Sequence, residues 1–98
     1  MKSSFQQLIA SESVVLVDFF ATWCGPCKVL GQILTAVKAD VGAAVKIVKI
    51  DVDKNQPLAQ KYQVRGVPTL ILFKDGKQVW RQSGVVQQED LKRILDQY

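Results

Sequence analysis

The spacing of hydrophobic and polar residues changes several times along the chain, and each change marks a predicted element. Three short apolar runs, Val14–Phe20, residues 45–52 and residues 69–73, indicate strands, and the first is apolar almost throughout, as in a strand buried on both faces. A turn at Asp75-Gly76 predicts that a fourth strand, Lys77–Ser83, returns antiparallel, because glycine adopts a positive φ at little steric cost. The pattern therefore predicts four strands.

Apolar residues at helical spacing separate or follow these strands. Residues 26–40 carry one broad apolar face, and a similar pattern covers residues 91–98. Shorter helices are predicted within residues 53–63 and after Ser3 and Ser4, each followed three residues later by glutamine as in a capping box. Because a strand–helix–strand order implies a parallel pair, we expect an α/β fold: a mixed sheet between helices on both faces, its first and third strands at the centre.

Composition and charge favour one compact domain spanning residues 1–98. The chain is 48% hydrophobic and too short for two domains. Its net charge of +4 comes from scattered basic residues, whereas a nucleic-acid surface clusters them. No apolar run approaches the ~20 residues of a membrane span, and the first residues do not resemble a secretory leader. We therefore expect a cytoplasmic protein that binds neither nucleic acid nor membranes.

The candidate chemistry lies in one stretch, Trp23-Cys24-Gly25-Pro26-Cys27-Lys28, which holds both cysteines of the chain. Cysteines at this spacing, between a strand and a helix, can close a reversible disulfide. The helix dipole and its unpaired N–H groups favour a thiolate at Cys24, whereas Cys27 lies within the first turn and is expected to be less accessible. We therefore assign Cys24 as the nucleophile and Cys27 as the resolving thiol. Pro26 suits the first helical turn, and Gly25 lets a substrate backbone approach.

Other roles for the two cysteines are weaker predictions. A structural disulfide over so short a loop stabilises the fold little. Zinc normally needs four ligands, and a chain with two cysteines and no histidine would have to share the site with another chain. Haem attachment needs a histidine after the second cysteine, where this chain has Lys28. Two inert core thiols are a further alternative. The missing histidine between the cysteines also favours a dithiol that reduces its substrates, because such a residue stabilises the reduced thiolate of oxidising proteins.

Asp18 is the next candidate, because strand alternation puts its carboxyl on the same face as Leu16 and Phe20. Burial is expected to raise its pKa, and a neutral carboxyl beneath the thiols is a reasonable proton relay for Cys27. The alternative is that Asp18 faces solvent or forms a structural pair with a lysine. Lys49 on the neighbouring strand is the expected charge partner, or else an ordinary exposed lysine.

Trp23 and Pro68 complete the candidates. Trp23 is either a core aromatic or a partly exposed lid beside the disulfide. Pro68 follows Val67 at the start of a central strand, where an ordinary proline would forfeit a ladder hydrogen bond. The residues alone do not favour a cis bond at this position.

Three segments with a common order and spacing carry a resemblance to a known family. They are residues 17–28 (VDFFATWCGPCK), 49–53 (KIDVD) and 62–69 (YQVRGVPT), with Gly84 matching after the last strand. The chain resembles the thioredoxin family over essentially its whole length. The resemblance implies a thioredoxin-like three-layer α/β/α fold with four helices and a mixed four-stranded sheet that lacks the usual first of five strands.

The resemblance also implies a role for each candidate residue. It makes Cys24 and Cys27 the redox pair that closes as a disulfide, Asp18 the buried proton-transfer group and Lys49 its neighbour. The residues implied in the active-site loop and at the docking site for substrate backbone are Trp23, Gly25, Pro26, a cis Val67-Pro68 peptide and Gly84.

The implied function is general protein-disulfide reduction by a monomer without a bound metal or cofactor. Electrons would come from NADPH through a thioredoxin reductase, and the expected clients are ribonucleotide reductase, peroxiredoxins and methionine sulfoxide reductase. Two alternatives are a non-catalytic binding module that uses the surface of Trp23, Pro68 and Gly84, and a disulfide oxidase or isomerase.

Three departures from the family pattern carry expectations of their own. Without the usual first strand, residues 45–52 are expected to form an exposed edge. Phe20 stands where many members carry tryptophan, so an indole N–H is lost near the site. Gln32 stands where many carry a proline that kinks the helix, so the long helix is expected to be straighter.

Overall fold

The computed structural model describes residues 4–98, which form a four-stranded sheet between two layers of helices. The strands are β1 (Val14–Phe20), β2 (Lys46–Asp51), β3 (Thr69–Lys74) and β4 (Lys77–Ser83). The helices are α1 (Ser4–Ala10), α2 (Gly25–Val41), α3 (Gln56–Lys61) and α4 (Gln88–Leu95), with one 3₁₀ turn at Gly42–Ala44. The predicted elements are all present among these residues.

The sheet has the strand order β2-β1-β3-β4, with the two predicted strands at its centre. β1 runs parallel to β2 and antiparallel to β3, so α2 is a crossover connection. β3 and β4 form the predicted hairpin, in which Asp75 (φ 52°) and Gly76 (φ 82°) both have positive φ. Two successive positive φ values are typical of the turns whose twist matches that of a hairpin.

Each face of the sheet packs on its own pair of helices. Leu16 and Leu72 belong to a core that includes side chains of α2 and α4. The opposite face carries Val17 and Ile71 in a core with residues of α1 and α3. The almost entirely apolar character of β1 follows from this arrangement, because β1 has a strand on either side and helices above and below.

The structure corrects several predicted bounds. β2 is one residue shorter at each end than the predicted residues 45–52, whereas α3 lies within the predicted residues 53–63. α4 ends at Leu95, so Tyr98 lies beyond the helix. The capping serine Ser3 lies outside the described residues. β2 pairs only with β1 within residues 4–98, which confirms the expected exposed edge. No helix in this part of the chain has the length and apolar character needed to cross a membrane.

Candidate active site

Cys24 and Cys27 form a disulfide at the start of α2, with Cα atoms 5.2 Å apart. Cys24 is the N-cap residue of α2, with extended backbone, and its Sγ accepts a hydrogen bond of 3.1 Å from the Cys27 N–H. Pro26 lies in the first turn, where its missing N–H leaves no helical hydrogen bond unmade. The sulfur of Cys24 is therefore placed where unpaired N–H groups and the helix dipole stabilise negative charge.

The expectation that Cys27 is less accessible than Cys24 is wrong for this oxidised form, since each residue is 5% exposed. The physical reason is that the disulfide ties the two sulfurs together and other groups cover both. The Val67 carbonyl oxygen lies 3.7 Å from Cys24 Sγ, and Phe20 and Val52 pack against the cysteine pair. Position relative to α2, rather than exposure, distinguishes the two thiols.

The loop before β3 lies directly against the disulfide. Its Val67-Pro68 peptide is cis, as the family resemblance implies. The Gly84 N–H donates a hydrogen bond of 2.8 Å to the Pro68 carbonyl, and Gly84 has a positive φ of 91°, which favours glycine. Thr69 Oγ1 donates a hydrogen bond of 2.7 Å to the Gly66 carbonyl. These bonds bring the predicted residues Val67, Pro68 and Gly84 together with Cys24.

Trp23 is exposed over 71% of its surface, so the core interpretation is wrong, and its role as a lid beside the disulfide stays a prediction. Its indole Nε1 donates a hydrogen bond of 2.8 Å to Asp53 Oδ2. Trp23 also lines a cavity of about 140 Å³ together with Val64, Arg65 and Val67. Sequence reasoning did not single out Asp53, Val64 or Arg65, although all three lie in the segments that carry the family resemblance.

Asp18 is 1% exposed, and its Oδ1 has no hydrogen-bond partner among the described residues. Burial raises the pKa of Asp18 to about 6, and the positive charge of Lys49 opposes part of that rise. A cavity of about 480 Å³ is lined by Asp18, Cys27 and Lys49, so the buried carboxyl and the second cysteine share one solvent-accessible space. The predicted burial of Asp18 close to the cysteine pair is confirmed, and its role as a proton relay stays a prediction.

Lys49 faces Asp18 across the β1–β2 pair, as predicted, but its side chain is exposed. Among residues 4–98 the two charges form no ion pair within 4.0 Å, so Lys49 acts on Asp18 at longer range. A Cβ built on Gly31 of α2 would lie 3.3 Å from Lys49 Nζ. The missing Cβ of Gly31 therefore gives the ammonium room against the helix.

Three parts of the chain thus meet at the carboxyl end of β1: residues 25–27, the cis-proline loop and Asp18. A disulfide that caps a helix, covered by a loop with one exposed tryptophan beside it, defines a thiol–disulfide oxidoreductase. Within residues 4–98 no three side chains of histidine, cysteine, aspartate or glutamate come close enough to hold a metal ion.

Comparisons with known proteins agree with this class. The model of the Thioredoxin family matches residues 1–97. Thioredoxin from Staphylococcus aureus is 47% identical over 85 residues, which cover 87% of this chain and 82% of that protein. A mutant thioredoxin from Halobacterium salinarum has a similar structure, with a TM-score of 0.89, 40% identity and coverage of 100% of this chain and 85% of that chain. Oxidised thioredoxin from Plasmodium falciparum, at 30% identity, has a TM-score of 0.83 over 100% of this chain and 92% of that chain.

The chain belongs to the thioredoxin family, and its activity is the reduction of protein disulfides by thiol–disulfide exchange.

Proposed function

We propose that Cys24 is the nucleophile and Cys27 the resolving thiol of this exchange. In the dithiol form, the Cys24 thiolate attacks one sulfur of a client disulfide, forms a mixed disulfide and releases the other client sulfur as a thiolate. The Cys27 thiolate then attacks Cys24 Sγ, closes the internal disulfide and releases the second client thiol. Two electrons pass to the client. The position of Cys24 at the N-cap of α2 is the observation that carries this assignment.

We propose that Asp18 accepts the Cys27 proton before the second step. The shared cavity supports this role, because solvent in it can connect the carboxyl to the thiol. A pKa of about 6 for Asp18 leaves the carboxyl able both to take up and to give up a proton near neutral pH. Lys49 limits the rise of that pKa and thereby keeps part of the carboxyl ionised.

The client backbone is proposed to dock as an extended strand on Val67 and Pro68. Trp23 and Gly84 would border that surface, and Gly25 would leave room for the client beside the disulfide. The exposed fraction of Trp23 and the open space around the Gly25 backbone favour this arrangement. Backbone contacts suit a reductase with many clients, because main-chain hydrogen bonds do not depend on the client sequence.

The finer functional proposals rest on the family. We propose that the chain is a single domain and a monomer in the cytoplasm, and that thioredoxin reductase reduces it with electrons from NADPH. Ribonucleotide reductase, peroxiredoxins and methionine sulfoxide reductase are the proposed clients. The exchange needs no bound cofactor, since the dithiol of Cys24 and Cys27 itself carries the two electrons and becomes the disulfide when it gives them up.

The test of the cysteine assignment is insulin-disulfide reduction driven by dithiothreitol. Cys24→Ser is expected to lower the rate to that of dithiothreitol alone. Cys27→Ser keeps the nucleophile and is the matched control, expected to accumulate a mixed disulfide with the client that mass spectrometry detects. Equal rates for the parent protein and Cys24→Ser would refute the assignment, as would client trapping through Cys27 in the Cys24→Ser variant.

A further inference from the structure

The guanidinium of Arg81 on β4 bridges two backbone carbonyls at the end of α3. Its Nη1 donates to the Tyr62 carbonyl, and its Nη2 donates to the Gln63 carbonyl at 2.7 Å. Arg81 lies opposite Ile71 in the β3–β4 pair, so the side chain links the sheet edge to a loop 18 residues earlier in the chain. A planar fork that binds two acceptors holds them in a fixed mutual orientation.

The two carbonyls belong to a backbone turn that closes α3. Gln63 has a positive φ of 54°, and its N–H donates a hydrogen bond to the Gln60 carbonyl. The Val64 N–H donates a hydrogen bond of 2.9 Å to the Ala59 carbonyl. This is the Schellman pattern, in which glycine is the usual residue at the left-handed position. A residue other than glycine adopts this left-handed conformation at a steric cost. Arg81 stabilises the turn, because its guanidinium donates to the Tyr62 and Gln63 carbonyls that directly follow the last helical residue, Lys61.

This turn opens the loop that carries the cis proline. From Gln63 the chain runs through residues 64–66 to Val67 and Pro68, beside Cys24 Sγ. The far end of the loop is also fixed from the end of β4, where Gly84 donates to the Pro68 carbonyl and Ser83 Oγ lies 3.0 Å from Thr69 Oγ1. The end of β4 therefore holds the loop at both of the loop's ends. Arg81 binds the start of the loop, and Ser83 with the following Gly84 binds the end of the loop.

We propose that Arg81 is a positioning residue for client docking: its two hydrogen bonds fix the path of the loop, and hence the Val67-Pro68 backbone against which an extended client lies. The inference rests on the proposed docking role of that loop. The hydrogen bonds that Arg81 forms within residues 4–98 go to Tyr62 and Gln63, so Arg81 acts on the active site through the loop. Its loss is expected to weaken reactions that need backbone docking more than reactions of a small disulfide, because only a docked client must match the loop geometry.

The experiment compares the second-order rate constants of the reduced protein with insulin and with the small disulfide DTNB. Arg81→Met removes both donors and keeps an unbranched side chain. We expect the insulin-to-DTNB ratio of rate constants to fall roughly tenfold, which is less than the roughly hundredfold loss that a misplacement of about 1 Å can cause. Arg81→Lys keeps the positive charge but lacks the planar two-donor guanidinium. Its insulin-to-DTNB ratio is expected to lie between that of the parent protein and that of Arg81→Met. Hydrogen exchange of the Val64 amide is expected to quicken in both variants.

Arg93→Met is the matched control, because Arg93 lies on α4 and, within residues 4–98, forms its ion pair with Asp90 of the same helix. It is expected to leave the ratio and the Val64 exchange unchanged. An unchanged ratio in Arg81→Met, or an equal fall in Arg93→Met, would overturn the proposal. If Arg81→Met does not fold, the ratio for Arg81→Lys decides in the same way. A parent protein that reduces DTNB but not insulin would instead overturn the proposed docking function, so the two failures are distinguishable.

Discussion

Replacement of Asp18 by asparagine is expected to stabilise the protein at neutral pH. Asp18 is 1% exposed and its Oδ1 lacks a hydrogen-bond partner among the described residues, so ionising the carboxyl in place is unfavourable. Asparagine has nearly the same shape and stays neutral. Asp18→Asn thus removes the unfavourable charge with little change in packing.

The magnitude follows from the pKa. Burial raises the pKa of Asp18 from 3.8 to about 6, with Lys49 opposing, which corresponds to about 3 kcal/mol of lost stability once the carboxyl is ionised in both states. Between these two pH values the folded protein binds more protons than the unfolded chain, so stability falls as the pH rises. Below pH 3.8 the two states are protonated alike and no difference arises from this group.

Urea unfolding of the oxidised protein, followed by circular dichroism at several pH values, measures the effect. Asp18→Asn is expected to gain up to about 3 kcal/mol over the parent protein above pH 6, and to lose that advantage as the pH falls towards 3.8. Glu12→Gln is the matched control, because Glu12 is an exposed carboxylate. A gain that does not vary with pH, or a gain equal to that of Glu12→Gln, would refute the reasoning. The same variant is expected to reduce insulin more slowly, since the proposed proton acceptor of Cys27 is gone.

Three further substitutions test other parts of the structure. Lys49→Met is expected to raise the pKa of Asp18 further, since the Lys49 charge lowers it; carboxyl carbon NMR titration measures this, and an unchanged midpoint would contradict it. Leu34→Ala is expected to cost roughly 2–5 kcal/mol in urea unfolding because Leu34 is 1% exposed in the α2–α4 core; a loss below about 1 kcal/mol would argue against close packing there. Gly76→Ala is expected to cost roughly 1–2 kcal/mol, because Gly76 has φ 82° in the β3–β4 turn, and a thermal unfolding midpoint equal to the parent's would exclude such strain.

Local patterns were sufficient to predict most of the fold and the burial of Asp18. β1 was predicted with the bounds that the structure shows, because an apolar run with strand length has few alternatives in a chain of this size. Burial of Asp18 was favoured over the solvent-facing alternative because the strand is apolar on both faces, without knowledge of any partner. The position of this carboxyl beneath the cysteines could also be predicted, because β1 leads directly into the turn before α2 that carries them.

Side-chain partners that lie far apart in sequence could not be predicted in this way. Trp23 bonds to Asp53, 30 residues later, and Arg81 reaches back to Gln63 across 18 residues. Periodicity assigns a residue to a face, but a long polar side chain has several acceptors within reach. Only the folded arrangement selects among them. The equal exposure of the cysteines was missed for a similar reason, because the covering Val67 carbonyl comes from a distant loop.

The open edge of the sheet connects stability to the chemistry through Lys49. Within the described residues β2 has no outer neighbour, and its Lys46 and Lys49 carry like charges. Charged side chains on an edge strand oppose pairing with another edge, which agrees with the proposed monomer. Lys49 also faces Asp18 across the strand pair and lowers its pKa. Because the edge is uncovered, the Lys49 ammonium stays in solvent and acts on Asp18 through the cavity. It therefore lowers the pKa of Asp18 less than a buried ion pair would. Asp18 is thus left able to change protonation near neutral pH.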